Sequence, residues 1–115
     1  MRMLIAIIQP TKLRAVQEAL GKIGVERFTV CDAHGYARQR GQTESYRGIE
    51  YQVHLLRKVV IEIAVNDDFV ERTIDTLQEI ARSGVAGEFG DGKIFLLPLT
   101  EVIEIGSGQR GKGAV

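Results

Sequence analysis

Twice along this chain an apolar run gives way to an amphipathic stretch and then to another β-rich run. That repeat restricts the fold more than any single residue does. Met3 to Ile8 is a short continuous apolar segment, the pattern of a buried strand. Pro10 interrupts it, and Thr11 is a candidate helix N-cap. Leu13, Val16, Leu20 and Ile23 recur at helical spacing until Gly24 supplies a stop, and residues 27–34 read as a second strand. Val59 to Val65, rich in β-branched residues, restarts the series. Asn66 to Asp68 offer caps, Asp68 and Glu71 have capping-box spacing, and Val70, Ile74, Leu77, Ile80 and Ala81 form the next apolar stripe. Arg82-Ser83-Gly84 closes that helix, Ile94 to Leu97 reads as a fourth strand ended by Pro98, and Val102, Ile103 and Ile105 as a short final strand or edge piece.

Two strand-helix-strand units in succession, joined with right-handed crossovers, predict an α+β domain: a ferredoxin-like βαββαβ fold with both helices on one face of an antiparallel sheet. The domain is expected over residues 1–105, followed by a flexible Gly-rich tail at 106–115 that lacks core-forming residues. Val59, Ile61, Ile63 and Val65 would face the helices, leaving Val60, Glu62 and Ala64 on a second face with few polar residues. Self-association is the economical way to cover that face, although the residues themselves do not fix the number of subunits.

Composition narrows the function classes. The 15 basic and 15 acidic residues balance, which gives no reason to expect broad attraction to nucleic acid or membrane. The sheet segments also lack the paired aromatics that stack RNA bases. A lone cysteine, Cys31, rules out an internal disulfide framework and, lying in an apolar run, reads as a small buried side chain. No apolar run approaches the roughly 20 residues of a membrane helix, so a cytoplasmic protein is expected. His34 and His54 have no metal-ligand partners at usual spacings, nor a neighbouring acid or hydroxyl that would make a catalytic pair.

The exception to this economy is the stretch from Gly35 to Lys58. It separates two strands that a hairpin of two to five residues would normally join, yet here about twenty intervene. Glycines at 35, 41 and 48 permit unusual backbone shapes, and Arg38, Arg40, Arg47 and Arg57 offer forked donors for carboxylate or phosphate. The chemistry is that of a recognition arm, a long loop expected at residues 36–55. A second glycine turn, Gly90-Asp91-Gly92-Lys93, sets backbone amides and a cation where an anion could approach closely.

Ala6-Ile-Ile-Gln-Pro-Thr-Lys-Leu, the stretch from Gly35 through Arg-Gly-Gln-Thr-Glu-Ser-Tyr-Arg-Gly-Ile-Glu to Tyr51, Lys58, and Gly90-Asp-Gly-Lys-Ile-Phe lie in register over roughly the first 100 residues. In this order they resemble the PII signal-transduction family of nitrogen regulators. Taken singly, each has a bland reading: a strand-end lysine, an ordinary turn, a solvated loop. Together they are specific.

The resemblance implies a homotrimer with adenine-nucleotide sites in clefts between subunits, and 2-oxoglutarate bound beside MgATP at the base of the long loop. Carried over, Gln39 would ligand Mg²⁺ and contact 2-oxoglutarate, Lys58 would pair with its carboxylate, and the backbone around Arg38, Arg40 and Gly41 would bind the same ligand. Arg38 and Lys93 would face phosphates, Gly35, Gly90, Asp91 and Gly92 would line the cleft, and Thr29, Glu62, Ile63 and Ala64 would sit near base and ribose. Tyr51 matches a loop tyrosine that some members have nucleotidylylated, and Tyr36 and Tyr46 read as packing or loop anchors. The implied role is a non-enzymatic regulator acting on an ammonium transporter or on nitrogen-assimilation enzymes and their modifiers, with no nucleic acid and at most peripheral membrane association through a transporter.

The chain also departs from the family. Ala37 replaces a usual glycine, Arg57 stands where proline is common, and residues 85–89 run about three longer than in many members. Two arginines that clamp ATP phosphates from the neighbouring subunit fall on Glu104 and Gly106. A carboxylate about 4 Å from a phosphate charge is repelled by roughly 4 kcal/mol at an effective dielectric of 20, before screening. Weakened ATP binding is therefore expected, unless Arg110 and Lys112 replace the lost charge. That leaves a divergent PII-like sensor of another nucleotide or small anion as the alternative, and a small-molecule enzyme on the same fold as a third reading without a visible nucleophile-base pair.

Overall fold

The computed structural model describes residues 1–37, 45–46, 49–50 and 54–115. Strand β1 (Arg2–Ile8) leads through a 3-10 turn at Pro10–Lys12 into helix α1 (Leu13–Lys22) and strand β2 (Thr29–Ala37). Two short strands, β3 (Ser45–Tyr46) and β4 (Ile49–Glu50), pair with each other inside the long loop. Strand β5 (His54–Val65), a turn at Asp67–Phe69, helix α2 (Val70–Ala81) and strand β6 (Gly92–Pro98) complete the second unit. The main sheet has the order β2-β5-β1-β6 with every neighbour antiparallel. Each helix thus crosses over one intervening strand, the expected ferredoxin-like α+β topology.

The core lies between sheet and helices. Leu4, Ala6 and Ile8 of β1 and Val59, Ile61, Ile63 and Val65 of β5 are buried there, packed against Val16 and Leu20 of α1 and Val70, Leu77 and Ala81 of α2. The period-2 alternation of the strands and the helical stripes meet as the sequence predicts. Thr73 is the exception to apolar patterning. It is wholly buried, and its hydroxyl donates to the Phe69 carbonyl at 2.6 Å, which satisfies the oxygen inside its own helix.

Neither helix covers the opposite sheet face. Cross-strand register places Met3, Ile5 and Ile7 beside Ala64, Glu62 and Val60 on one side and beside Leu97, Phe95 and Lys93 on the other, with Cys31 opposite Val60. Cys31 is accordingly exposed, against the expectation of a buried thiol, because it sits on the face the helices leave open.

Several local expectations shift. Neither Thr11 nor the Asp68–Glu71 pair caps a helix by a side-chain hydrogen bond. Each helix is instead entered through a 3-10 turn whose first amide is satisfied by backbone, Lys12 N–H to the Gln9 carbonyl at 3.0 Å and Phe69 N–H to the Asn66 carbonyl at 2.9 Å. The second and third strands run further than their apolar residues suggested, with Ala37 still paired to His54. The main-sheet ladder with β1 stops at Ile8↔Val59, so residues 33–37 and 54–58 form a two-stranded ribbon beyond the sheet, with Tyr36, Leu55 and Leu56 exposed on it. The final strand expected at Val102–Ile105 is reduced to one bridge, Ile103 to Arg110. It closes a turn in which the Glu104 amide donates to the Gln109 carbonyl and the Gly111 amide to the Val102 carbonyl, so residues 106–115 carry local structure, including a 3-10 turn at Gly111–Ala114. No helix among the described residues is long and apolar enough to cross a membrane.

Candidate functional site

The site forms where the ribbon leaves the sheet and β6 begins. Gly92, the first residue of β6, pairs with Ile8 at the end of β1. Its φ is +125°, and a Cβ there would lie 1.7 Å from the Ile7 carbonyl oxygen, so no other residue fits. The backbone of β6 is thereby pressed onto β1, which brings the preceding turn against the root of the long loop.

Three side chains fix that turn. Asp91 accepts the Ser83 and Glu88 amides on Oδ2 at 2.9 and 2.8 Å, closing the long 83–91 segment upon itself. Hydrogen bonds from Ser83, then from the Glu88 amide, pull its carboxyl down to about 2, so it is ionised at neutral pH and occupied with backbone. Gln9 bridges from the end of β1, donating from Nε2 to Asp91 Oδ1 at 3.3 Å and to the Gly90 carbonyl at 3.5 Å. Lys58 of β5 donates from Nζ to the same Gly90 carbonyl at 2.7 Å. Its stem passes over Gly35, where a Cβ would come within 3.2 Å of Lys58 Cγ. Gly35, Lys58, Gly90, Asp91, Gly92 and Lys93 are therefore gathered at one place, with Lys93 exposed on β6 opposite Ile7. Gln9 has no role in the sequence reading. Its only signal there is a polar residue ending an apolar run beside a proline.

The remaining residues separate from this group. Thr29 and Glu62 are cross-strand partners on the open sheet face, and Ala64 follows on the same face. Gly35 lies six residues along β2 from Thr29, a span of roughly 20 Å at strand rise. The side chain of Ile63 is wholly buried under the helices, so only its backbone is available to a ligand. The β2–β5 ladder ends at Thr29↔Glu62 while β1 continues to pair through Val65, which leaves the backbone beyond Glu62 outside any ladder on the β2 side. The predicted residues thus fall into two groups at two positions on the sheet. Arg38, Gln39, Arg40, Gly41 and Tyr51 lie outside the described residues. Among the described residues no three His, Cys, Asp or Glu side chains stand together as a metal cluster.

The C-terminal turn holds the charges in question. Arg110 reaches both oxygens of Glu101 at 3.2 and 3.3 Å, and Glu104 accepts the Ser107 hydroxyl at 2.9 Å. The Lys112 carbonyl accepts Asn66 Nδ2 at 3.3 Å. Arg110 is committed within its own turn, which removes it as a ready substitute for a missing phosphate clamp.

Comparison with known proteins agrees with this geometry. Residues 1–109 match the family described as nitrogen regulatory protein P-II. The chain is 46% identical over its whole length to the nitrogen regulatory protein P-II of Azospirillum brasilense, covering all of that protein. It is 47% identical to the nitrogen regulatory protein GlnK1 of Methanosarcina mazei, covering 100% of this chain and 97% of that one. Its fold superposes on the crystal structure of Arabidopsis thaliana PII bound to citrate with a TM-score of 0.77 and 37% identity, over 98% of this chain and 87% of that chain. The chain belongs to the nitrogen regulatory protein P-II family of signal-transduction proteins, regulators rather than enzymes.

Proposed function

We propose that this protein is a trimeric cytoplasmic sensor that takes adenine nucleotide and 2-oxoglutarate in clefts between subunits and reports them through its long loop. The observation that carries the reading is the convergence of Lys58, Gly35 and the Gly90–Lys93 turn at the root of that loop. Trimerisation is supported by the open apolar face of the sheet, which other copies would cover. The division of the predicted residues into two half-sites supports a cleft built from two protomers, the glycine turn and Lys58 from one, Thr29, Glu62 and Ala64 from the other.

MgATP, when bound, supplies polyphosphate charge and a metal centre that gathers oxygen ligands. The chain's part is to receive it. Lys93 and the amides of the glycine turn offer positive charge to phosphate oxygens, a turn that Gly92 keeps close to β1. The Lys58 ammonium offers a charge-assisted hydrogen bond to a carboxylate. Gln39 would be the protein ligand of Mg²⁺, one oxygen being a sensible share for that ion. Arg38, Arg40 and Gly41 would complete the anion site from the loop. A tricarboxylate on a PII relative is in keeping with a site for such anions. The output follows if ligands differ in affinity for two loop shapes, since only a difference shifts a population. An ammonium transporter, nitrogen-assimilation enzymes and their modifiers are the partners proposed, with Tyr51 as the candidate for nucleotidylylation.

The second reading, a divergent sensor with weakened ATP binding, is favoured by Glu104 and Gly106 together with the Arg110–Glu101 pair. Calorimetric titration with MgATP, with and without 2-oxoglutarate, separates the two. Synergy is expected under the first reading, nucleotide binding without synergy under the second, and turnover of nucleotide would count against both. A sizing measurement that returned only monomer would remove the cleft altogether.

A further inference from the structure

The Lys58–Gly90 contact joins two parts of the molecule that the sensor reading treats separately. Lys58 stands on the ribbon that carries the long loop, whereas Gly90 ends the segment that starts at Ser83. That segment has little else to hold it. Its amides at 83 and 88 are tied to Asp91, the Asp91 amide donates back to the Glu88 carbonyl at 3.2 Å, Gln9 touches its last carbonyl at the edge of hydrogen-bond range, and residues 84–86 form only a local turn. Of its donors, Lys58 makes the shortest bond and the only one carrying a full charge.

The same segment presents two large apolar side chains to solvent. Val85 is 97% exposed and Phe89 87% exposed. The inner side of the segment, through Ala86, Gly87 and Glu88, walls a cavity of about 540 Å³ floored by Ile8, Leu77 and Ala81. The position of this wall decides both how Val85 and Phe89 are displayed and how open that cavity is.

We propose that Lys58 is a tether as well as an anion ligand: with no anion at the loop root its ammonium holds the 84–90 segment through the Gly90 carbonyl, and transfer of the ammonium to a carboxylate releases that segment. This rests on the reading of Lys58 as a 2-oxoglutarate ligand and adds to it a second output. A ligand felt at the long loop is also felt at the surface bearing Val85 and Phe89. The geometry permits it because one ammonium bears three donors, but the stem crossing Gly35 limits how far it can reach at once.

Amide hydrogen exchange on the full-length protein tests this, read at the Ser83, Glu88 and Asp91 amides, whose hydrogen bonds close the segment. Lys58→Met keeps the aliphatic stem and removes the donors. In the absence of ligand it should speed exchange in this segment by about fivefold, in line with losing a charge-assisted bond at a partly exposed site, and leave α1 unchanged. Wild-type protein saturated with MgATP and 2-oxoglutarate, compared with MgATP alone, should show the same acceleration, and Lys58→Met should show no further change. Equal exchange in Lys58→Met and wild type would overturn the tether. So would unchanged exchange in wild-type protein when calorimetry shows 2-oxoglutarate bound. Absence of calorimetric binding would instead strike the underlying sensor reading, and an acceleration confined to the variant would then overturn the ligand-driven release.

Discussion

Two glycine-rich turns in this protein use a carboxylate in opposite ways. At the root of the long loop, Asp91 takes backbone amides, so its charge is absorbed by the fold, while Lys93 is exposed and Lys58 holds only the neutral Gly90 carbonyl. In the C-terminal turn, Glu101 takes the guanidinium of Arg110, and Glu104 has only the Ser107 hydroxyl. The first turn leaves cations on offer and the second leaves a carboxylate. The partner each charge already holds, rather than a count of charges, decides what a ligand meets.

The largest effect expected from breaking this contrast is at Gly92. Gly92→Ala forces a methyl against the Ile7 carbonyl in a left-handed backbone region, and about 3 kcal/mol or more should be lost from stability. Chemical denaturation measures it, and a wild-type midpoint would mean β6 is not pressed onto β1. Next comes the open sheet face. Ile5→Glu sets a second carboxylate directly opposite Glu62 and beside Phe95, and sedimentation should show monomer in place of the proposed trimer. An unchanged oligomer would mean that another surface holds the copies together.

At the C-terminal turn, Glu104→Arg should tighten MgATP by about tenfold, the ratio given by a change of 1.4 kcal/mol, well below the unscreened repulsion. No change in calorimetric affinity would place Glu104 outside the cleft. At the loop root, Asp91→Asn should loosen the 83–91 segment at neutral pH. The carboxyl is held at about 2, below the usual carboxylate value, so its contribution is present above that usual value and fades as pH falls toward 2. The denaturation midpoints of wild type and variant should therefore converge as pH is lowered from 6 toward 2. A constant difference across that range would mean that Asp91 works as a polar group only.

The fold was legible because its evidence is periodic. β5 alternates Val59, Ile61, Ile63 and Val65 inward, and both helices place their apolar stripes where the sheet needs them. The clustering at the candidate site was legible where glycine and lysine mark it, at Gly35, Lys58 and Gly90 to Lys93. It was not legible where one side chain serves another element. Nothing local reveals that Gln9 reaches Asp91 across 82 positions, or that Thr73 is buried. Helix entry misled for a similar reason: Thr11 and Asp68 have capping chemistry, but backbone 3-10 turns had already met the first amides. The strand ends were underestimated because the ribbon mixes polar residues with Tyr36, Leu55 and Leu56 without a clean alternation, although its backbone pairs as fully as the core does.

The smallest effect separates stability from recognition. The side chains of the Arg110–Glu101 pair are 65% and 42% exposed, so Glu101→Gln should cost less than about 1 kcal/mol in folding. Its effect on nucleotide should be larger in proportion, because the variant returns a forked cation to a turn that otherwise offers only Glu104. A gain of about threefold in MgATP affinity is expected, and it should shrink at high salt as exposed electrostatics do. Combining it with Glu104→Arg should give less than the product of the two gains, since both supply the same phosphates from one short turn. Independent gains would show that Arg110 and residue 104 address different parts of the nucleotide, and no gain from Glu101→Gln would show that Arg110 stays in its turn without its carboxylate.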